Sequence, residues 1–375
     1  MPIEIRRTPL GGNVRDFLNV VDYIYRADPN FVRPLDMELK ERLSHKNPFW
    51  QHAEGVILTA HRNGFCVGRC TAQIDREHLA KYCDDVGSFG FFDTIEDPEV
   101  ASALVNAASQ WLRERGMRRI RGPLSLSLND EAGCLVEGFD TPPMLMMPHH
   151  LPYQGGLLEQ SGLKKLKDLY AWRYIVGKIP ERARRAHDEI DAMPEVKARN
   201  ASMKNLDTDL RTLIDVFNDG WSDNWGVVPF TEAELKKQAR DLKLIIDPRL
   251  SLIVTINDEP AAIAVALPNL NEAIRDFGGK LLPFNAPKLL YRLKVQRPKT
   301  ARLILLGIRK KFRNQKRYAA LSTYMYAKMD QAGQRIGVDW GELSWTLEDN
   351  TAVNVAIKFM GGKIYKRYRL YEGEL

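Results

Sequence analysis

The last seventy-five residues constrain the fold more than any other stretch of the chain. A short apolar strand, Leu303 to Ile308, leads into the basic loop Arg309-Lys310-Lys311-Phe312-Arg313-Asn314-Gln315-Lys316-Arg317. A helix is predicted next, with Leu321, Met325 and Met329 on one face. A second strand, Trp340 to Thr346, precedes Glu348-Asp349-Asn350, residues suited to capping a helix. That helix carries Val353, Ala356, Ile357 and Met360 on one face, and a left-handed cap is expected at Gly361-Gly362. A cationic loop that opens a helix suits a pyrophosphate, because free backbone N–H groups and the positive helix end meet there.

The order strand, cationic loop, helix, strand, capped helix, strand resembles the acyl-CoA-binding half of the GNAT N-acyltransferase fold. Glu348-x-Asn350-x-x-Val353-x-x-Ala356-Ile357-x-x-x-Gly361 is similar to that superfamily's second signature. The resemblance implies that Ile308, Arg309, Lys310, Arg313, Lys316, Arg317 and Asn350 hold acyl-CoA as a co-substrate, with no cofactor bound permanently. Two departures bear on mechanism. The superfamily's phosphate loop usually reads Arg/Gln-x-x-Gly-x-Gly/Ala, whereas this register gives Arg313-x-x-Lys316-x-Tyr318. Lys316 offers a point charge there, and backbone approach to the phosphates is looser without the glycines. Many members also carry a Tyr on the last helix that protonates the departing CoA thiolate, and this chain has Ile357.

A length of 375 residues suggests two domains, and 44% apolar with 27% charged residues is ordinary globular chemistry. Cys66, Cys70, Cys83 and Cys134 show no CxxC spacing, so free thiols in a reducing compartment are expected. Met1 to Arg7 lacks the apolar core of a signal peptide, and no apolar run approaches the roughly 20 residues that span a bilayer. The expectation is a cytoplasmic protein, with peripheral contact at the inner membrane as an option.

The seven excess positive charges are concentrated in Arg113–Arg121, Lys164–Lys167, Arg182–Arg185, Arg292–Lys316 and Lys363–Arg369. CoA phosphates account only for the cluster at the loop. The others fit a solvated face or an anionic membrane leaflet, where each cation contributes about 1 kcal/mol. Nucleic acid also favours a basic chain, but no nucleic-acid module is recognisable here, so it is not expected as a partner.

The two halves of the chain read as one plan repeated. In the first, Ile3–Arg7 is a strand and Val14–Tyr25 an amphipathic helix. Val56–Arg62 and Phe65–Ile74 form a hairpin across Asn63-Gly64. Phe89–Phe92 is a short strand, and Pro98 starts a helix with Val100, Ala103, Leu104, Ala107, Trp111 and Leu112 as its buried stripe. Arg118–Gly122 starts another strand, a Gly-, Pro- and Met-rich loop follows to His150, and Tyr170–Val176 closes the unit. In the second half, Leu210, Leu213, Ile214, Phe217 and Trp221 mark a helix, and Leu250–Ile256 with Ala261–Leu267 form a hairpin across Asn257-Asp258. The expected fold is α/β (α+β): two tandem GNAT-like domains, 1–177 and 194–375, each a mixed, mostly antiparallel sheet flanked by helices, joined by a helical connector at 178–193. The first half's counterpart of the phosphate loop, Phe92 to Glu99, holds four carboxylates, which repel a pyrophosphate. The donor is therefore assigned to the second domain.

Three further constellations are candidate site residues. Pro148-His149-His150-Leu151-Pro152-Tyr153 offers imidazoles able to deprotonate an amine, or simply paired or exposed loop histidines. No carboxylate or Cys stands near them at ligand spacing, so no metal is expected. Trp221, Asn224 and Trp225 fall where GNAT proteins line the acceptor site; an apolar channel and plain core packing fit them equally. Glu342 faces the polar side of its strand, either as a base or as a surface carboxylate. His149, His150, Tyr153 and Glu342 are thus the catalytic candidates.

Across nearly the whole chain the sequence resembles a bacterial family with tandem GNAT-like halves. The resemblance is carried by Phe31-Val32-Arg33-Pro34-Leu35, Asn47-Pro48-Phe49-Trp50-x-His52, Phe89-Gly90-Phe91-Phe92, Asn224-Trp225-Gly226-x-x-Pro229 and Lys366-x-Tyr368-Arg369-x-Tyr371. Some members are bacterial ceramide synthases, which implies transfer of a long-chain acyl group from acyl-CoA to the amine of a sphingoid base. Two other readings stay open: a Fem-type transferase using aminoacyl-tRNA, and a non-catalytic binding protein on a decayed acyltransferase scaffold.

Overall fold

Two tight turns and one repeated crossover set the framework. The computed structural model describes residues 2–221, 224–243 and 245–375. Met1–Leu169, Ile274–Leu289 and Lys366–Leu375 form one compact unit, and Tyr170–Ala273 with Leu290–Tyr365 form a second. Relative to boundaries at 177 and 194, residues 170–193 fall in the second unit, while 274–289 and 366–375 fall in the first.

In the first unit, β1 (Glu4–Pro9), β2 (Ala53–Arg62), β3 (Phe65–Asp75) and β4 (Val86–Thr94) pair antiparallel in that order. Asn63 and Gly64 turn β2 into β3 with φ of 53° and 80°, the left-handed pair that an Asn-Gly hairpin supplies. α1 (Arg15–Ile24) buries Phe17, Leu18, Val20, Val21 and Ile24; α2 (Asp36–Arg42) and α3 (Arg76–Tyr82) are shorter. α4 (Pro98–Arg113) begins at Asp97, whose carboxylate accepts the Glu99 N–H at 2.9 Å. The helix buries Val100, Leu104, Ala108 and Leu112 and packs on β3. It carries the chain to β5 (Arg119–Gly122), which pairs parallel to β4. The stretch expected to be loop contains three short strands, β6 (Leu124–Ser125), β7 (Glu131–Ala132) and β8 (Cys134–Glu137). α5 (Gln154–Gln160) and β9 (Lys164–Ile175) follow.

The second unit repeats the plan. α6 (Glu181–Asp191) was expected to be a connector, but Ala183 and Ile190 belong to this unit's hydrophobic core. β10 (Val196–Asn200), α7 (Leu206–Trp221) and α8 (Glu232–Leu242) precede a hairpin of β11 (Ser251–Ile256) and β12 (Glu259–Pro268). Its turn residues, Asn257 and Asp258, have φ of 50° and 62°. The chain then passes through α9 (Leu270–Ile274) and α10 (Asn285–Tyr291) to β13 (Thr300–Ile308). α11 (Lys310–Arg313) and α12 (Leu321–Ile336) connect β13 to its parallel neighbour β14 (Trp340–Leu347). α13 (Thr351–Phe359) starts at Asn350, whose side chain accepts the Val353 N–H. It ends as expected at Gly361, φ 92°, with Gly361 and Gly362 N–H groups donating to the Lys358 and Ile357 carbonyls at 3.0 Å.

The last strand, β15 (Lys363–Glu374), pairs antiparallel with β5 and β8 from Arg367 onward. Members of three of the basic clusters meet counter-charges here. Arg119 and Arg121 bond Glu372 at 3.2 and 2.7 Å, and the fully buried Asp168 accepts from Arg369 at 2.8 Å and from Lys165 at 3.0 Å. Burial pushes the Asp168 pKa up, yet these cations outweigh it and hold the group below the usual carboxylate range.

Candidate active site

In the second unit the parallel pair opens into a fork. β13 and β14 are in register from Thr300↔Trp340 to Leu303↔Leu343, and pairing stops there although both strands continue. At the same point β12 pairs Val265 with Leu305 and Ala266 with Leu303, leaving Ile304 as a bulge. A bulge ends pairing and re-aims the backbone. Beyond Leu303, therefore, β13 carries backbone N–H and C=O groups that β14 does not use, in a cleft that leads to the basic loop. Extended substrates with amide groups are bound by such strand edges.

In the first unit the corresponding opening is filled. The β4–β5 pairing stops at Ser88↔Arg121, and backbone from Leu124 lies against β4. A Cβ on Gly90 would fall 1.9 Å from the Leu124 carbonyl oxygen. Phe91 N–H donates to Ser125 Oγ at 3.2 Å, and Gln73 Nε2 donates to the Leu124 oxygen at 2.7 Å. Of the carboxylates expected to repel a phosphate here, Asp93 is buried and bonded by Arg69 at 2.7 Å, while Asp97 caps α4 and pairs with Arg62 at 2.5 Å.

The cations of the second unit's loop divide into two groups. Arg309 pairs with Asp215, Lys311 with Glu259 and Arg317 with Glu195, and the Lys310 N–H donates to Asp219 at 2.8 Å. Arg313 and Lys316 are exposed; Arg313 only reaches the Gly220 carbonyl at 3.4 Å. Tyr318, at the second glycine position of the family loop, turns inward against Phe312, ring centroids 6.0 Å apart. Ile308 is half-buried beside Gly220, and Asn350 acts as the α13 cap.

Trp221 stacks on Phe217 at 4.9 Å and lies across β13, so that a Cβ on Gly307 would sit 2.3 Å from its ring. Asn224 and Trp225 are half-buried in the turn that follows, and Asn224 N–H donates to the Trp221 carbonyl at 2.9 Å. An apolar cavity of about 60 Å³ lies where the fork begins, lined by Ala301, Leu303, Gly341 and Leu343 of the two strands and by Met329 and Gly333 of α12.

Glu342 also borders this cavity, and it is not a surface carboxylate: it is fully buried. Ser344 Oγ and Tyr365 OH donate to its two oxygens, and Arg302 Nε, on the adjacent strand, stands 3.6 Å away. Arg302 is itself buried and donates to Ser344 Oγ at 2.8 Å. Sequence reading missed Arg302, Ser344 and Tyr365. The available signal was a single Arg inside the apolar strand that precedes the basic loop.

The adjacent histidines of the first unit have different environments. His150 is buried with Nδ1 accepting the Leu135 N–H at 3.1 Å, which fixes the proton on Nε2. Burial lowers its pKa to about 4. The unfolded chain takes up this proton near pH 6.5 and the folded chain only near 4, so the contribution to stability is complete above 6.5. It is lost as pH falls through that window, roughly 3 kcal/mol in all. Urea unfolding between pH 7 and 4 measures the slope, which is expected to shrink in His150→Asn.

His149 is also buried, but its Nε2 lies 2.6 Å from Asp28 Oδ2, and its Nδ1 has no hydrogen-bond partner. With Asp28 ionised, the proton sits on Nε2 and the Nδ1 lone pair is left to accept another. Burial lowers the His149 pKa; the Asp28 bond opposes this. Tyr25 OH donates to the His149 carbonyl at 3.0 Å and to Asp93, and Phe31 stacks on the Tyr25 ring at 4.1 Å. Tyr153 OH donates to the Thr94 carbonyl at 2.8 Å, and burial raises its phenol pKa, so it is a poor acid or base here. Asp28 and Tyr25 were missed in the sequence because their partner lies more than a hundred residues away.

No family model matches the sequence. Over the whole chain the fold is similar to a tandem GNAT protein from the clavulanic acid biosynthesis pathway, with TM-score 0.56 and 11% identity, covering 99% of this chain and 98% of that one. A GCN5-related N-acetyltransferase from Sphaerobacter thermophilus matches at TM-score 0.55 and 12% identity, covering 99% and 95%. The fold is thus that of the tandem GNAT acyltransferases, as the sequence led us to expect. A bacterial ceramide synthase from Caulobacter vibrioides is 41% identical over 98% of this chain and 96% of its own length. Protein YghO from Escherichia coli K12 is 39% identical over 97% and 96%. At that identity and coverage the chain belongs to the bacterial ceramide synthase family of GNAT-fold N-acyltransferases.

Proposed function

We propose that this protein transfers a long-chain acyl group from acyl-CoA to the amine of a sphingoid base. The observation that carries the reading is the full-length likeness to a ceramide synthase, joined to a fork between β13 and β14 that is open only in the second unit. In this reading the pantetheine arm runs along the free edge of β13, and Arg313 and Lys316 receive the CoA phosphates. The amine must lose a proton before its lone pair forms the C–N bond at the thioester carbon, and His149 Nδ1, a buried acceptor without a partner, is the candidate base. Collapse of the tetrahedral adduct breaks the C–S bond, and the departing thiolate takes the second proton from nitrogen, leaving the neutral amide and CoA thiol. The substrates are amphiphiles, so a cytoplasmic protein in peripheral contact with the inner membrane is the working location; no described helix is long and apolar enough to cross one.

Purified protein incubated with palmitoyl-CoA and sphinganine should yield the N-acylated product and free thiol. A rise in Tm with aminoacyl-tRNA and none with acyl-CoA would overturn the donor assignment, because any ligand of the native state raises stability by mass action. Arg313→Glu with Lys316→Glu should raise KM for acyl-CoA at least tenfold, about 1.4 kcal/mol, while Tm stays unchanged because both side chains are exposed. Equal donor kinetics in the variant remove this loop from the site.

The cavity at the fork supports a long acyl chain. Leu303 and Leu343, the last paired residues, line it, so a chain attached at the bulge enters it directly. A Cβ on Gly341 would meet only the Ala301 carbonyl oxygen at 3.5 Å, so the position accepts a Cβ, and the methyls of Gly341→Val are the test of whether filling this end of the cavity shortens the acyl chain accepted. Loss of kcat/KM is expected for palmitoyl-CoA relative to acetyl-CoA, about fourfold per buried methylene excluded. A chain-length profile identical to wild type assigns the tail elsewhere.

A further inference from the structure

Residues 280–299 hold six cations, Lys280, Lys288, Arg292, Lys294, Arg297 and Lys299, and no carboxylate. The same stretch contains five of the large hydrophobic side chains that stand most exposed: Leu282 at 68%, Phe284 at 86%, Leu290 at 57%, Tyr291 at 54% and Val295 at 64%. Six others are spread over the remaining described chain, from Tyr23 to Ile364. Single exposed apolar residues need no explanation, but a cluster of this kind marks an interaction surface. Its local structure is a proline-containing turn followed by α10 and one wide helical turn at Arg292–Gln296. Asp276 engages Lys288 at 2.6 Å and Arg292 donates to the Ala273 carbonyl at 2.7 Å; Lys280, Lys294, Arg297 and Lys299 are exposed.

We infer that this segment docks on an anionic lipid bilayer, with Phe284, Leu282 and Leu290 entering the interface and the cations meeting lipid phosphates. The charge decides the occupant. Two copies of an all-cationic segment repel each other, so self-association is disfavoured, whereas a negative leaflet attracts it by about fivefold for each cation near the surface. Lys and Arg also suit this setting because their stems lie along acyl chains while the heads stay in water. Docking does not depend on the acyl acceptor proposed above, and it is read without activity.

The test is flotation of the full chain with vesicles of phosphatidylcholine alone and with about 30 mol% phosphatidylglycerol, whose anionic headgroups attract nearby cations. Binding to the anionic vesicles, weakened by salt, is expected. Phe284→Ser with Leu290→Ser, and separately Lys294→Glu with Arg297→Glu, should each lower the partition coefficient at least tenfold with Tm unchanged. Wild-type protein that floats with neither vesicle overturns the inference, as does equal flotation of all three proteins. So does a dimer in light scattering that the serine variant abolishes, or an RNA duplex that binds through the same cations more tightly than the vesicles do.

Discussion

His149→Ala is expected to lower kcat by about two to four orders of magnitude while Tm falls only modestly. The expectation rests on the unused Nδ1 of a buried ring whose other nitrogen is held by Asp28 at 2.6 Å. An ammonium cannot attack a thioester, so a group that accepts its proton controls the rate. The pH profile carries the finer test. Burial pulls the His149 pKa below 6.5 and the Asp28 contact partly restores it. The imidazole is the free base above that value, so kcat/KM should stay level down to below pH 6.5 and then fall as the ring protonates. Asp28→Asn removes the group that stabilises the imidazolium, so the acid limb should move to lower pH, with kcat reduced because the ring loses its orientation. A purely structural dyad would lower Tm and leave the profile in place. His150→Asn should retain most of its turnover, because the acceptor nitrogen of His150 is already occupied by the Leu135 N–H.

Local chemistry made much of the second unit legible. The apolar run of β13, the Leu321-Met325-Met329 spacing of α12 and the Asn350 and Gly361 caps of α13 are each set by neighbours within a few residues. Both hairpins declared themselves through turn residues with positive φ. The failures share a different cause. β6, β7 and β8 are two to four residues long and exist because backbone packs against Gly90 and β15, which no local period encodes. α6 looked like a solvated connector from its charges, although Ala183, His187 and Ile190 already formed a stripe at helical spacing.

The site was legible by residue type and not by pairing. The basic loop stood out, but the sequence did not show that Asp215, Glu259 and Glu195 occupy three of its cations and leave Arg313 and Lys316 exposed. Nor did it show which of two adjacent histidines keeps a free nitrogen, because the partners, Asp28 and Leu135, come from distant segments. The basic tail, too, meets counter-charges from distant segments: Arg367 and Arg369 share the buried Asp168 of β9, while Glu137 pairs with Arg367 and Glu159 with Arg369.

Glu342→Ala should destabilise the second unit by about 3–5 kcal/mol, the usual result of removing one partner from a buried ion pair. Arg302 would remain buried with its charge uncompensated, and the hydroxyls of Ser344 and Tyr365 would lose the oxygens they now donate to. At roughly 2–4 °C per kcal/mol for a unit of this size, a loss of about 6–20 °C in Tm should be seen by calorimetry. Glu342→Gln keeps the shape and one acceptor, so it should lose less stability and hold kcat within about tenfold of wild type. Both carboxylate oxygens already accept hydrogen bonds, and a group so engaged is a poor proton acceptor for an incoming amine. The pair of variants therefore separates two roles for the same residue. A Glu342→Gln protein with native Tm and a kcat lowered by about a hundredfold or more, alongside a fully active His149→Ala, would sink the His149 assignment and make Glu342 the base.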